Sequence, residues 1–546
     1  MRRSMASEPR ASRGSPRRAR TPRRAPAALL AAVLGLQSVL LPLAVAQQPR
    51  VEGRNTLPAL GDSASEDVPV AVERRVGDRI MRDIRRDPDY LDDPVLLDYL
   101  QDMWSRLLAA SRSRGNVPAE LEERFAWELF LVRDRTVNAF ALPGGYVGVH
   151  LGLIAITVAP DELAAVLGHE LSHVTQRHIA RSIGASKTTS LVGLAGLILG
   201  ILAASRSPEA ANALITGGQA AAVQGQLNFS RDMEREADRV GYSVMTGAGY
   251  SSAGMAAMFE KLQQASRLND SQSFPYLRTH PLNSERIGEA RSRLGADFVD
   301  AEATLKRPLL YALMQARARV LMDTRDGALQ RQQDFDSERS LAAAAAPTEK
   351  LAALYGSALA SVLRRDGARA DAALAAARPY AQGDAGVLRV LDLLSVQNAV
   401  ARGDGARATA LLEPMLAAPE ARGSRALLLA QAQVALLPGA SRAALEASAE
   451  RLQTRVADQR EDASAWGALA QVWERLGQRL RAVRAEAESR AAVGDVNGAL
   501  DRLRAAQRLG RSASGPDFIE VSVIEARIRE LEARRRQLQA EERGES

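Results

Sequence analysis

The chain has 546 residues, enough for two or more domains, and an apolar content of 46% that suits ordinary globular cores. The formal charge of +7 misleads, because residues 1–46 hold nine arginines against one acid, Glu8, for +8, which leaves the remainder at −1 (7 minus 8). That near-neutral remainder argues against a nucleic-acid partner, and the lack of cysteine excludes disulfides.

The first 46 residues read as a secretory signal peptide. An arginine-rich region runs to Arg24, an apolar stretch covers Ala27 to Leu43, and Ala44-Val45-Ala46 fits a small-x-small cleavage site with Gln47 as the new first residue. A retained membrane anchor is the alternative, and the long basic region leaves Met5 as a second candidate start. Residues 47–67 are polar, with Pro, Gly and Ser, and read as a flexible lead-in. The expectation is therefore an exported protein.

Helical periodicity begins near Val70, and a second helix spans about Pro94 to Ser111. Phe125–Val132, Asn138–Leu142 and Tyr146–Val149 read as strands, the last two separated by Pro143-Gly144-Gly145. An exposed strand here, with Asn138 and Ala139 as its first residues, could take up an extended peptide at the sheet edge.

The next stretch carries the chemistry. Leu163 to Arg181 reads as one helix, with Pro160 in its first turn and Asp161 and Glu162 complementing its dipole. It contains His169-Glu170-Leu171-Ser172-His173. Histidines four apart share a helix face and can bind one zinc ion. Glu170 lies about 100° round the helix from His169, close enough to hold a water without being a ligand. On a continuous helix His178 lies about 180° from His169 and cannot share its metal, and His150, at a strand end, reads as a packing residue.

Thr188 to Ser205 is uncharged, and 210–230 is uncharged and rich in small residues. Residues 188–230 read as a hydrophobic hairpin, packed on its own domain or touching a membrane surface. Arg231 to Gly241 then resumes a helical pattern. Glu234 and Asp238 share a face there, so Glu234 could be a third ligand while Asp238 hydrogen-bonds a ligand histidine. The competing reading is an exposed charged face making intrahelical ion pairs. His280, before Pro281, sits in a loop or turn, and a helix begins near Asn283.

From about Arg307 alanine, leucine and arginine dominate and strand signals vanish. Asp366-Gly367-Ala368-Arg369-Ala370 recurs as Asp404-Gly405-Ala406-Arg407-Ala408, with further turn signals at Pro438-Gly439 and Leu476-Gly477. Spacings of this size are those of tetratricopeptide-like helix pairs, and a generic alanine-rich bundle is the alternative. Such an array presents a surface for partners and carries no candidate metal ligand, so it reads as a separable module.

Together, the His169–His173 motif within H-E-L-S-H-V-T-Q-R-H, Glu234-x-x-Ala237-Asp238, Thr279-His280-Pro281-Leu282 with Arg286, and Asn138-Ala139-Phe140-Ala141 with Gly144-Gly145 resemble the zinc metalloproteases that include HtpX and the CAAX-prenyl proteases. Among these the exported kind with C-terminal tetratricopeptide repeats is most similar. Asn283 departs from the proline often found there.

The resemblance implies an α+β, mostly helical gluzincin-type protease domain with a small β-sheet (68–306), followed by an all-α tetratricopeptide-like repeat domain (307–546). It implies a periplasmic endopeptidase with one zinc per chain. Its substrates would be unfolded or misassembled outer-membrane proteins, and its repeats would dock on the outer-membrane assembly machinery. The resemblance places zinc on His169, His173 and Glu234, makes Glu170 the base, and offers His280 as a fourth ligand that holds the enzyme off, while Asp238 keeps its reading as the partner of a ligand histidine. Arg286 is a candidate oxyanion donor and Tyr276 a second. A chaperone or scaffold that works through its repeats, with a largely latent zinc site, stands as the alternative function.

Overall fold

The computed structural model describes residues 68–185, 230–267, 276–294, 305–344, 346–381, 383–419, 423–510 and 516–543. The expected signal peptide, the lead-in and, apart from Ser230, the 188–230 hairpin lie outside them. Among the described residues no helix is long and apolar enough to cross a membrane.

Two helices, α1 (Val70–Ile84) and α2 (Pro94–Ser113), open the fold. Asp93 caps α2 by accepting the Leu96 N–H at 2.9 Å, and Pro94 fills the first turn, where no N–H is needed. A short α3 (Ala119–Arg124) leads into the sheet. Its strands are β1 (Tyr90–Leu91), β2 (Glu128–Val132), β3 (Ala139–Leu142) and β4 (Tyr146–His150), in the order β1-β2-β4-β3. β1 is a two-residue strand too short to leave a pattern in the sequence. β2 and β4 run parallel, with Glu128 opposite Tyr146, whereas β3 and β4 form a hairpin. Its turn uses Gly144 and Gly145 at φ 79° and 90°, a region that side chains with a Cβ rarely enter. β3 is thus an edge strand.

β4 runs into α4 (Leu151–Ile156) and then α5 (Pro160–Thr175), which bears the histidine motif. The expected single helix to Arg181 is interrupted. α5 stops at Thr175, Arg177 adopts a left-handed φ of 52°, and α6 (His178–Ala185) starts afresh. No glycine or proline announces this break. Arg177 holds it by donating to Glu73 at 3.0 Å and to the Val68 carbonyl. The protease half closes with α7 (Arg231–Gly247), α8 (Ala253–Arg267), the single turn α9 (Tyr276–Thr279) and α10 (Ser284–Ser292), which Asn283 caps through the Arg286 N–H.

Helices alone make up the described part of the remaining chain: α11 (Leu309–Leu321), α12 (Asp326–Gln333), α13 (Glu338–Ala343), α14 (Pro347–Leu363), α15 (Gly367–Ala377), α16 (Ala385–Ala401), α17 (Gly405–Ala417), α18 (Arg425–Ala435), α19 (Arg442–Asp458), α20 (Ala463–Arg475), α21 (Arg479–Ala492), α22 (Val496–Gly510) and α23 (Pro516–Arg543). Chain neighbours pack on each other for most of this run. The recurring pentapeptide performs the same work twice. Asp366 and Asp404 cap α15 and α17 by accepting from Arg369 and Arg407 N–H, and those arginines reach back to Asp336 and Asp371 of the preceding unit.

The helical half is not detached. One apolar core runs from Val70 to Val434, across the expected boundary at 306/307. On α11, Tyr311 meets Thr157 Oγ1 at 2.5 Å, and Arg317 forms a buried two-pronged pair with Asp93 at 2.7 and 2.8 Å. Farther along, Arg425 clamps Asp92 at 2.6 and 2.7 Å while also holding Asp462, the cap of α20. Between this clamp and the β1–β2 edge lies a cleft of about 790 Å³, lined in part by Tyr90, Trp127, Glu128, Arg455 and Glu461.

Candidate active site

α5 and α7 cross where Gly168 faces Gly241. A Cβ on Gly241 would come within 3.0 Å of the Gly168 backbone, and one on Gly168 within 3.1 Å of Gly241. This close approach brings Glu234 and Asp238 against His169 and His173, and all four are buried. The exposed-face reading of Arg231–Gly241 therefore fails for these two acids.

Nε2 of His169 and Nε2 of His173 lie 3.0 Å apart. Carboxylate oxygens of Glu234 lie 3.5 Å from each. His280, from the loop after α9, places Nδ1 2.9 Å from Glu234 and 3.4 Å from His169 Nε2. One donor atom from each of these four residues lies within 4.8 Å of all the others. Ligands about 2.0–2.2 Å from a tetrahedral zinc sit roughly 3.3–3.6 Å apart, so the cluster has the scale of a single metal site.

The charges agree with that fit. Burial alone would raise Glu234, but His280, His169 and His173 around it hold its carboxyl well below the usual range. Asp238 behaves likewise: burial opposes its charge, and Arg286 and His169 outweigh burial. Burial lowers His169, but Asp238 and Glu234 more than offset this and raise it to about 10, whereas burial keeps His173 well below its ordinary value. Arg286 and the His169 imidazole balance the two carboxylates, and a metal bound among the donors would take the place of the His169 proton.

Glu170 stands beside the four donors, fully buried. Its Oε2 accepts the Ala141 N–H from edge strand β3 at 3.0 Å, and its Oε1 has no hydrogen-bond partner among the described residues. Burial pushes its carboxyl up against the pull of His280 and His169. Asp238 lies 2.9 Å from Nδ1 of His169 and receives two bonds from Arg286, at 2.6 and 2.8 Å. Arg286 also contacts Glu234 at 2.7 Å and donates to the Pro281 carbonyl. Its donors are therefore spent behind the ligands, a poor arrangement for an oxyanion donor. Tyr276 instead stacks on His280, with ring centroids 4.6 Å apart, and reaches His169 edge-on at 6.4 Å.

At the sheet edge, Asn138 O accepts the His150 N–H, and antiparallel alternation turns the N–H and C=O of Ala139 and Ala141 outward. Ala139 is fully buried, so the accessible part of this edge is Phe140–Ala141. The side-chain oxygen of Asn138 is buried without a hydrogen-bond partner among the described residues. His150 packs at the end of β4 and meets Thr136 Oγ1 at 2.9 Å. His178 lies outside the four-donor cluster but touches His173, a contact that the interrupted helix permits and a continuous one would forbid.

Residues 98–294 match the model of peptidase family M48. This part of the chain is an M48 metalloprotease domain. The chain is 36% identical over 250 residues to a putative beta-barrel assembly-enhancing protease of Vibrio cholerae, an alignment covering 46% of this chain and about half (49%) of that protein. It is 29% identical over 492 residues to the beta-barrel assembly-enhancing protease of Escherichia coli, covering 89% of this chain and 93% of that one. A mitochondrial metalloendopeptidase of Arabidopsis thaliana is 30% identical over 217 residues, 40% of each chain.

The M48 domain makes one test of its ligand set immediate. Glu234 lies among the donor nitrogens, while Glu236 faces away, bonded to His178 at 3.2 Å and Arg181 at 2.8 Å. Glu234→Gln is expected to lower bound metal far more than Glu236→Gln, measured by elemental analysis of the purified proteins. Equal losses would refute the assignment of Glu234.

Proposed function

We propose that this chain is a periplasmic zinc endopeptidase that cleaves misfolded or misassembled exported proteins during outer-membrane protein assembly. The observation that carries the reading is the buried cluster of His169, His173, Glu234 and His280 with Glu170 alongside. The relatives named for beta-barrel assembly support the cellular role. The signal-peptide pattern of residues 1–46 supports the compartment.

His169, His173 and Glu234 would hold zinc, which would supply Lewis acidity toward a water and the scissile carbonyl. Glu170 takes the water's proton and passes it to the leaving amine. Its raised affinity for a proton, caused by burial, suits both steps. An extended substrate pairs with the β3 edge at Ala141, whose C=O faces outward while Glu170 holds its N–H, and this sets the substrate carbonyl beside Glu170. Tyr276 is the better placed of the two oxyanion candidates. The helical array acts as a tetratricopeptide-like docking module for the assembly machinery, and its cleft against the β1–β2 edge offers a surface for it.

His280 lies 2.9 Å from Glu234 and 3.5 Å from Glu170, buried. As a fourth ligand it would occupy the position the water needs, so it acts as a lid. The expected result is that His280→Ala keeps its zinc and cleaves an unfolded β-barrel protein faster than the native chain, and that chelation stops both. Peptidase rate and metal content measured side by side decide it. An unchanged rate with unchanged metal removes the lid, and no chelator-sensitive cleavage by either protein removes the function.

A further inference from the structure

The two ligand histidines of α5 have different outer partners. His169 leans on Asp238, one carboxylate away from Arg286. The outer nitrogen of His173 meets an imidazole instead. Its Nδ1 lies 2.8 Å from Nδ1 of His178, whose own Nε2 lies 3.2 Å from Oε2 of Glu236, and Arg181 holds that carboxylate at 2.8 Å.

With a metal held on Nε2 of His173, these contacts assign a direction to each proton. His173 turns Nε2 toward His169 and Glu234, so Nε2 is its metal-facing atom and Nδ1 carries the hydrogen. Two Nδ1 atoms at hydrogen-bond distance share one proton, so His178 Nδ1 must accept. His178 then bears its hydrogen on Nε2 and donates it to Glu236. The chain of contacts runs from His173 to His178 to Glu236, in one direction, and ends on a carboxylate.

We propose that His178 is a positioning residue for the metal site. It is an imidazole spliced between a ligand histidine and the carboxylate that would ordinarily orient it. It locks the tautomer and ring plane of His173 and conveys to it the pull of Glu236. The break at Arg177 is what makes this possible. The left-handed residue restarts the helix, so that His178 turns back beneath His173 and is itself fully buried. Partners of this kind typically change metal affinity by about 10–100-fold when removed.

This inference rests on the zinc-site reading above, and its test separates the two. Zinc affinity of the full mature chain is measured by competition with a chromophoric chelator, and the visible bands of the cobalt-substituted protein report ligand geometry. His178→Leu fills the space but cannot accept the His173 proton, and it is expected to weaken zinc binding by about 10–100-fold and shift the cobalt bands. His178→Asn places an acceptor oxygen near the former Nδ1 and is expected to recover most of the affinity. Glu236→Gln, at the half-buried end of the relay where folding is least at risk, is expected to show a smaller loss in the same direction.

Equal affinity loss in the Leu and Asn variants would mean that packing alone matters and would overturn the relay. Native affinity and native cobalt bands in the Leu variant or in Glu236→Gln would do the same. A native chain that binds no zinc, or a Glu234→Gln variant that binds it normally, would instead remove the site on which the relay depends.

Discussion

Glu170→Gln is expected to keep the metal and the fold and to lose proteolysis by at least about 10²–10⁴-fold, the usual contribution of a positioned general base. The amide has the shape of the carboxylate, and its oxygen can still accept the Ala141 N–H that anchors Oε2 at 3.0 Å. What it cannot do is take a proton. Glu170 is not one of the four clustered donors, and its Oε1 lies 3.5 Å from Nε2 of His280. Turnover of an unfolded outer-membrane protein, read against metal content, measures the effect. Native turnover in the variant would sink the mechanism. Should the variant lose cleavage yet still support outer-membrane assembly in cells, the chaperone or scaffold function would account for that part of the work.

The second large effect concerns the junction between the halves. Deleting the chain from Arg307 onward is expected to leave an insoluble or unfolded protease domain, although the sequence reads there as a module boundary. Tyr311, Leu313 and Met314 of α11 are fully buried within the core that also holds α2 and α5. Their removal would uncover that core. A finer version of the test is Arg317→Met, which keeps the apolar stem and leaves Asp93 buried without its partner. Breaking a buried pair on one side costs about 3–5 kcal/mol, and Asp93 is also the cap of α2. Denaturant unfolding of the native chain and the Arg317→Met variant gives the difference. A truncated chain that unfolds cooperatively with metal bound would show that the protease half stands alone, and an Arg317→Met variant as stable as the native chain would show that the pair contributes nothing.

The histidine motif, the Glu234/Asp238 face and the loop position of His280 were legible in the sequence because each rests on a local rule: i, i+4 spacing, or a proline that follows. The strands flanking Pro143-Gly144-Gly145 and the helix starts at Pro94, Pro160 and Asn283 were legible for the same reason. The features that escaped depend on contacts between distant segments or on a backbone state that its residue type does not advertise. Arg177 in a left-handed conformation ended α5 early and brought His178 to His173. Arg286 looked free to serve an oxyanion, but Asp238, 48 positions earlier, occupies it. Arg317 and Arg425 fall in the stretch that composition assigns to a separate module, yet their partners are Asp93 and Asp92. A usable signal did exist in Gly168 and Gly241, glycines within otherwise ordinary helical runs, a pattern that marks close approach of backbones.

That glycine pair has a further consequence, for the thermodynamics of ion capture. The separation of α5 from α7 is set by main chain against main chain, which has no rotamers to choose among. His169 and Glu234 therefore hold their mutual distance before any ion arrives, and ordering them on capture gives up little conformational entropy. The disorder that a flexible site would surrender on each encounter with zinc has been surrendered once, when the two helices packed.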